Sequence, residues 1–524
     1  MYIVVAFLHS ISKIKLKAKT LVSVVQNYEI IFTFRSFFNR LCPKLPELWN
    51  ETCWCSFCRH RFCNAHFMNF SIKKQETPFF IKTMYALGQM GWSLGAYGVA
   101  NLLIYFYMPP QTGQEPVFMP YIYQGSVLGV ATIIGLLSFS GRIFDAVTDP
   151  LVANWSDRAT LRFGRRRFFM AIGFLPFALF SLLIFIPLTP AVSWLNVVWL
   201  FLCVLLLYFF MTIYVTPYTA LISELGHTPN ERLTISTFIS VTFALGYGIG
   251  TQVFFFQHVL QSQYGLSAET AFKTIMGAFA ILSALLMALP VIFVDEERYC
   301  ISKPSYEAPL PAIKSVFGNR NFRYFAASDL MYWLALTFIQ MGIAYYVTIL
   351  LQLEAQYGSL VLMGMLGSSF VFYVPTNILA RKWGKKRLMV FAFAAFTVIY
   401  MLMFFLGKYP LPPVVQIVTL GMLASIPIAI FSILPNAVVA DIIESDAAVS
   451  GGHKAAIFFA VRSFMMKMGM SVANLLFPSL LLLGNSVQNP AGVRATAAAA
   501  SVFCLLGWLI FSRYNEKEVL AAQD

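Results

Sequence analysis

The chain is a succession of long apolar segments separated by short polar ones. A helix needs about 20 apolar residues to cross the hydrocarbon core of a bilayer, so each segment is long enough to be a membrane span. The pattern predicts twelve spans, numbered here in chain order: residues 82–108, 122–150, 167–188, 193–222, 233–257, 270–294, 323–352, 358–380, 388–407, 413–440, 455–483 and 495–512. The predicted class is therefore an all-α membrane protein.

The composition agrees with this prediction. Hydrophobic residues make up 59% of the sequence and charged residues only 11%, whereas soluble domains have about 25% charged residues. The net charge of +14 would suit a nucleic-acid partner if it formed one patch. Lys and Arg instead recur in alternate loops, which is the pattern that orients membrane proteins. The partner implied is the lipid bilayer, with no nucleic acid.

Two loops hold the strongest clusters of basic residues. They lie between predicted spans 2 and 3 and between predicted spans 8 and 9: Arg158, Arg162, Arg165, Arg166 and Arg167, then Arg381, Lys382, Lys385, Lys386 and Arg387. The loop at 109–121 carries Glu115 alone. Because cytoplasmic loops are rich in Lys and Arg, we predict a multi-pass protein of the cell (inner) membrane with both termini cytoplasmic.

The two basic loops also resemble each other in sequence. "FGRRRFF" at 163–169 and "WGKKRLM" at 383–389 each form the second loop of a set of six spans. This repeat predicts two six-helix halves, 78–294 and 323–512, with a cytoplasmic connecting loop at 295–322 and a cytoplasmic tail at 513–524. Parallel repeats of this kind are typical of secondary transporters, whose binding sites lie between the repeats.

Residues 1–67 differ from the rest of the chain. They contain five of the eight cysteines, and "CWCSFCRHRFCNAH" at 53–66 has residue types that bind zinc. A structural zinc site usually pairs two cysteine knuckles across a longer loop, which this crowded segment lacks. We interpret 1–67 as a non-native extension preceding a true start at Met68; a disordered extension is the alternative.

Charged residues interrupt predicted span 2 in the segment "GRIFDAVTDP". Arg142, Asp145 and Asp149 follow one another at spacings of three and four residues, which places them on one helix face. Each would cost about 2.5 to 3.5 kcal/mol at the centre of a lipid-facing helix. We therefore expect them to face the protein interior, with Arg142 partly neutralising one carboxylate. The alternatives are a purely structural ion pair or charges at the level of the lipid headgroups.

Predicted span 11 repeats this anomaly. Lys467 lies near the middle of an apolar segment, and Arg462 lies about one turn earlier. We predict that Lys467 approaches Asp145 and Asp149. Carboxylates that can hold a sodium ion, a proton or an ammonium group form an exchange site of the kind that a symporter requires. The only cofactor expected is this coupling ion, with no other metal.

These segments resemble a known family. "GRIFDAVTDP", "SDRATLRFGRRR", "PYTALISELGHTPNER" and "AAIFFAVRSFMMKMG" are similar to motifs of the glycoside-pentoside-hexuronide:cation symporters, the melibiose permease family of the major facilitator fold. The resemblance covers about residues 78–512. It implies cation-binding roles for Asp145, Thr148, Asp149 and Thr212, and coupling roles for Arg142 and Lys467.

The sequence departs from the family at the sugar site. Ser93, Val215, Thr219 and Ser240 stand where the melibiose permease has its polar or aromatic sugar-binding residues. The remaining substrate-binding candidates are aromatic side chains and one arginine: Trp92, Tyr97, Tyr214, Tyr345, Tyr346 and Arg462. Counting Arg142, Arg462 and Lys467 against two aspartates leaves a central charge of +1, from which we expect a solute with an anionic group, such as an acidic sugar.

We expect a monomeric symporter that couples a small glycoside-like solute to sodium or a proton by alternating access. The alternative within this fold is a sodium-dependent transporter of lysophospholipids or other amphiphiles. A membrane enzyme or a sensor is a third class. An enzyme needs convergent catalytic groups, but His227, His258 and His453 lie in separate loops, so no catalytic residue is predicted.

Overall fold

The computed structural model describes residues 77–111, 117–127, 131–159, 164–226, 229–300, 316–450 and 455–521. These residues are helical apart from their loops and one antiparallel pair of short strands, β1 (Ser126–Val127) and β2 (Ala131–Thr132). The extension at 1–67, its cysteine-rich segment and much of the connecting loop lie outside the described residues.

The helices up to residue 299 follow the first six predicted spans. In chain order they are α1 (Phe79–Tyr97), a π-helical segment (Gly98–Leu102), α2 (Leu103–Tyr107), α3 (Ile133–Arg158), α4 (Arg165–Leu183), α5 (Trp194–Leu225), α6 (Pro229–Thr251), α7 (Val253–Tyr264), α8 (Ala268–Phe293) and the short α9 (Glu296–Tyr299).

The helices from residue 320 follow the other six predicted spans. They are α10 (Arg320–Tyr345), a π-helical segment (Tyr346–Leu350), α11 (Gln356–Val371), α12 (Tyr373–Trp383), α13 (Lys385–Phe404), α14 (Pro413–Ser450), α15 (Ala455–Leu481), α16 (Ala491–Ser512) and α17 (Glu516–Ala521).

Nine helices in the described part of the chain are long and apolar enough to cross a membrane, or ten if the bent pair α11 and α12 forms one span. The helical membrane class is thus confirmed, while the count of twelve stays a prediction. Predicted spans 1 and 2 are helical but are not among these nine. In α3 the reason is local, because Arg142, Asp145 and Asp149 interrupt its apolar sequence.

The bounds of α3 differ from those predicted. The helix begins at Ile133 rather than near 122, because the Thr132 hydroxyl accepts a hydrogen bond from the Gly135 amide and so caps the first turn. It continues through Pro150 to Arg158. This shift places Asp145 at the middle of the helix, instead of near the end of the predicted span.

In the described parts of the two resembling loops, the same kind of glycine turn precedes a helix. Gly164 and Gly384 have φ angles of 92° and 86°, and α4 and α13 begin at the next residue. Glu296 of α9 accepts a hydrogen bond from the Arg167 amide, and Glu516 of α17 accepts one from the Lys385 amide at 2.7 Å. The same number of residues separates each glycine from its glutamate. One glycine turn and one glutamate thus recur at both helix starts.

Candidate cation and transport site

Asp145 and Asp149 are presented by one face of α3, one turn apart. The side chain of Asp145 is 1% exposed and that of Asp149 is 36% exposed. Asp149 is the nearer of the two to the basic loop that follows α3. The carboxylate pair therefore extends from the protein interior toward solvent on the basic side.

Lys467 of α15 lies between these two carboxylates. Its Nζ is 2.8 Å from Asp145 Oδ2 and 2.5 Å from Asp149 Oδ2. The lysine side chain is itself only 15% exposed. The structure thus brings together the three charged groups that the sequence analysis expected to meet, across helices more than 300 residues apart in the chain. Their role in binding a cation stays a prediction.

Two threonine hydroxyls complete the oxygen-rich surroundings. Thr212 of α5 donates a hydrogen bond to Asp145 Oδ1 at 2.9 Å. The Thr148 hydroxyl lies 3.4 Å from that of Thr212 and also bonds to the carbonyl oxygens of Phe144 and Asp145. Carboxylate, hydroxyl and carbonyl oxygens are the ligands that hard cations prefer. All four residues expected at a cation site are therefore close together.

Arg142 does not take the partner expected for it. Its guanidinium lies over the ring of Tyr208 at 5.2 Å, and its Nε atom is buried without a hydrogen-bond partner. The described ion pairs of Asp145 and Asp149 are both with Lys467. Although the two residues share a helix face, the long Arg142 side chain turns toward α5 and packs on Tyr208 instead of reaching Asp145. The expected neutralisation of a carboxylate by Arg142 is wrong.

Arg462 pairs with an aspartate that the sequence analysis overlooked. Its Nε donates to Asp329 Oδ2 at 3.2 Å, and another of its nitrogens donates to the Asn436 side chain. Asp329 lies in α10 and is 1% exposed. Its position within an apolar segment is visible in the sequence, so the rule that singled out Asp145 would also have found it.

Asp329 changes the central charge. Three cationic groups now stand against three carboxylates, because Arg462 is paired with Asp329 and Lys467 with the aspartates of α3. The expected surplus of +1 is wrong. The expectation of an anionic solute rested on that surplus, so it no longer has support from the central charge.

Several residues that were predicted to bind the substrate instead pack against neighbouring helices. Tyr345 donates to the Met108 carbonyl at 2.6 Å, and Tyr346 bonds to Thr496 at 2.9 Å. Three others are also buried, and their contacts are within the bundle: Tyr97 stacks edge-on with Tyr247, Tyr214 donates to the Met287 carbonyl, and Ser93 packs against Gly246. In this structure these five side chains support helix contacts rather than line an open path.

The other candidates retain accessible surface. Trp92 is half-buried beside Phe243, and Val215 is half-buried on α5. Thr219 and Ser240 are exposed, with their hydroxyls bonded to carbonyls of their own helices. Their exposure leaves them available to a solute, but they have no contact that would identify one.

The helices up to residue 299 (the first set) contact the helices from residue 320 onward (the second set) at the end of the bundle away from the basic loops. Besides the contact of Tyr345 with Met108, the Gln111 amide donates to the Asn485 carbonyl at 3.0 Å, and Gln252 donates to the Ser359 carbonyl at 3.3 Å. Asp149, Thr219 and Ser240 retain exposure. This end is held together by hydrogen bonds between the two sets, while the polar interior keeps contact with solvent.

Comparison with known proteins decides the family. A family model described as MFS/sugar transport protein matches residues 84–516. The chain belongs to this family. The resemblance to glycoside-pentoside-hexuronide:cation symporters is thereby confirmed, as is the expectation of a transporter rather than an enzyme.

Relatives of this sugar transport family are distant but cover most of the chain. A glucuronide carrier protein homolog of Escherichia coli (strain K12) is 24% identical, over 75% of this chain and 86% of its own. The isoprimeverose transporter of Lactiplantibacillus pentosus is 23% identical, over 80% and 83%. A crystal structure of a D-xylose-proton symporter has a TM-score of 0.60 at 13% identity, covering 84% of this chain and 98% of that one. The fold is that of a major facilitator transporter.

Proposed function

We propose that this member of the sugar transport family is a cation-coupled symporter of a sugar- or glycoside-like solute. The contact of Lys467 with both Asp145 and Asp149 carries the proposal. An ammonium group held by two carboxylates occupies a position that a monovalent cation would also favour, so the two compete. When a cation binds, Lys467 must leave, and α15 is released from α3.

The coupling ion in this proposal is sodium or a proton. Asp145, Asp149, Thr148 and Thr212 supply the oxygen ligands that suit sodium, while either carboxylate could instead take a proton. Asp149 is the entry ligand, because it has the larger exposed fraction, and Asp145 is the inner ligand.

Alternating access between two six-helix halves, with twelve spans in total, completes the proposal. It is supported by the recurrence of the same glycine turn and glutamate contact at the starts of α4 and α13. The hydrogen bonds between the two sets of helices on the side away from the basic loops favour a state open to the basic side. By the positive-inside rule this side is cytoplasmic, and both termini of the monomer would lie there.

Reconstituted uptake tests the proposal. Proteoliposomes would be supplied with neutral and acidic glycosides, such as methyl β-D-xyloside and methyl β-D-glucuronide, under separate sodium and pH gradients. We expect accumulation of at least one solute under one gradient, and its loss in Asp149→Asn with solute exchange retained. A variant that concentrates solute as well as the parent would refute the role of Asp149.

A further inference from the structure

The contact between Asp329 and Arg462 is separate from the cation site on α3. Asp329 is 1% exposed, and Oδ2 accepts one hydrogen bond from Arg462. Its other oxygen, Oδ1, is buried and makes no full hydrogen bond, although the Trp333 indole, one turn further along α10, lies near the carboxylate and its own Nε1 is also unpartnered. A carboxylate that is removed from water and has half of its acceptor capacity unused is poorly compensated.

Among the residues that the structure describes, Arg462 is the ion-pair partner of Asp329. Arg462 reaches it from α15 and lies over the ring of Phe325. The other titratable groups of this neighbourhood are thiol and phenol groups: Cys504 of α16, Tyr332 of α10 and Tyr373 of α12. α14 contributes the uncharged Asn436. The ionised state of Asp329 therefore depends on Arg462 remaining in place.

Arg462 also has a second, more exposed partner. It donates a hydrogen bond to Asn436, whose side chain is exposed. A guanidinium group keeps its charge at any pH that a protein encounters. Arg462 can therefore move away from Asp329 while still positively charged, and remain solvated near Asn436. The carboxylate left behind would be a buried charge without a partner, which is costly unless it takes up a proton.

We propose that Asp329 is a proton-binding site that fills when Arg462 turns away from it toward Asn436. The carboxylate gains one proton from water, and Arg462 keeps its charge throughout, so each cycle takes up and releases one proton. Any effect of this proton on solute movement rests on the proposed function, whereas proton binding itself does not.

Infrared difference spectroscopy of the full-length protein in nanodiscs tests proton binding without a solute. The C=O stretch of a protonated carboxyl group should appear at neutral pH in Arg462→Gln, because Asp329 has lost its counter-charge. It should vanish in the double variant Arg462→Gln with Asp329→Asn, and persist in Arg462→Gln with Asp149→Asn. Absence of the band from Arg462→Gln, or its persistence without Asp329, would overturn the proposal.

The parent protein provides the second measurement, which also serves if Arg462→Gln does not fold. Acidification should produce a carboxyl band in the parent that is missing from Asp329→Asn and restored in Asp329→Glu. If the parent and Asp329→Asn give the same acid-dependent bands, Asp329 does not bind a proton in the intact pair, and the proposal is wrong.

Transport separates this proposal from the proposed function. In proteoliposomes, Asp329→Asn should retain glycoside exchange but lose the acceleration of uptake by an inward proton gradient, while Asp149→Asn loses accumulation altogether. An equal response of Asp329→Asn and the parent to the proton gradient would remove the transport role of Asp329. If the parent moves no glycoside, the proposed function fails, and the infrared result is unaffected.

Discussion

Helix α15 holds two cationic side chains whose pairings differ in nearly every respect. Lys467 joins two carboxylates of α3, one of which is 36% exposed, whereas Arg462 joins one fully buried carboxylate of α10. Their spacing of five residues puts them about 140° apart around the helix axis. One helix therefore contacts early and late parts of the chain through separate charges.

The chemistry of the Lys467 and Arg462 side chains suits these two environments. A lysine ammonium is a compact charge that another small cation can replace, whereas a guanidinium is planar and always charged. Two carboxylates against one lysine leave a net negative charge, which attracts an incoming cation. Asp329 is instead matched by Arg462 alone in the described part of the chain. We infer that the Lys467 contact exchanges with small cations from solution, whereas the Arg462 contact stabilises the fold until Asp329 takes up a proton.

The largest expected effect is on folding, in Arg462→Ala. Removing one partner of a buried ion pair costs about 3–5 kcal/mol, because Asp329 must then either remain an unpaired buried charge or take up a proton. We expect a clearly lower unfolding temperature in nanodiscs, with partial recovery when Asp329→Asn is added. A variant that unfolds at the temperature of the parent would show that the Arg462 contact adds no stability, and the contrast between the two pairings would disappear.

Lys467→Ala should lose less stability but gain affinity for the coupling ion. Asp149 is open to solvent, and the two carboxylates no longer have a competing ammonium group. We expect about tenfold tighter cation binding, equivalent to ~1.4 kcal/mol, measured as a shift in unfolding temperature with sodium concentration or with pH. Choline chloride is the control for ionic strength. If the cation affinity of this variant equals that of the parent, Lys467 does not compete for the site.

The smallest effect is expected for Thr212→Val, which removes the hydroxyl that donates to Asp145. A typical hydrogen bond contributes a net of about 0.5–1.5 kcal/mol, so the variant should weaken cation binding by about threefold, or ~0.7 kcal/mol. Thr397→Val is the matched control, because the Thr397 hydroxyl bonds only to its own helix. Similar cation affinities in the two variants would exclude Thr212 as a ligand.

The sequence determined the membrane class, the family and the meeting of Lys467 with Asp145 and Asp149. The length of an apolar segment and the cost of a charge within it are local properties, so they can be read without coordinates. Asp329 could have been found by the same rule. Its omission led to a wrong central charge and to the expectation of an acidic solute.

Only the tertiary structure decided which partner each polar group takes. Arg142 lies over Tyr208 instead of beside a carboxylate, and Tyr345 and Tyr346 hold helices together instead of facing a solute. The spacing of residues fixes the face of a helix, but the neighbour on that face depends on how the helices rotate and pack against one another. That packing depends on contacts between distant segments, and a local pattern does not encode them.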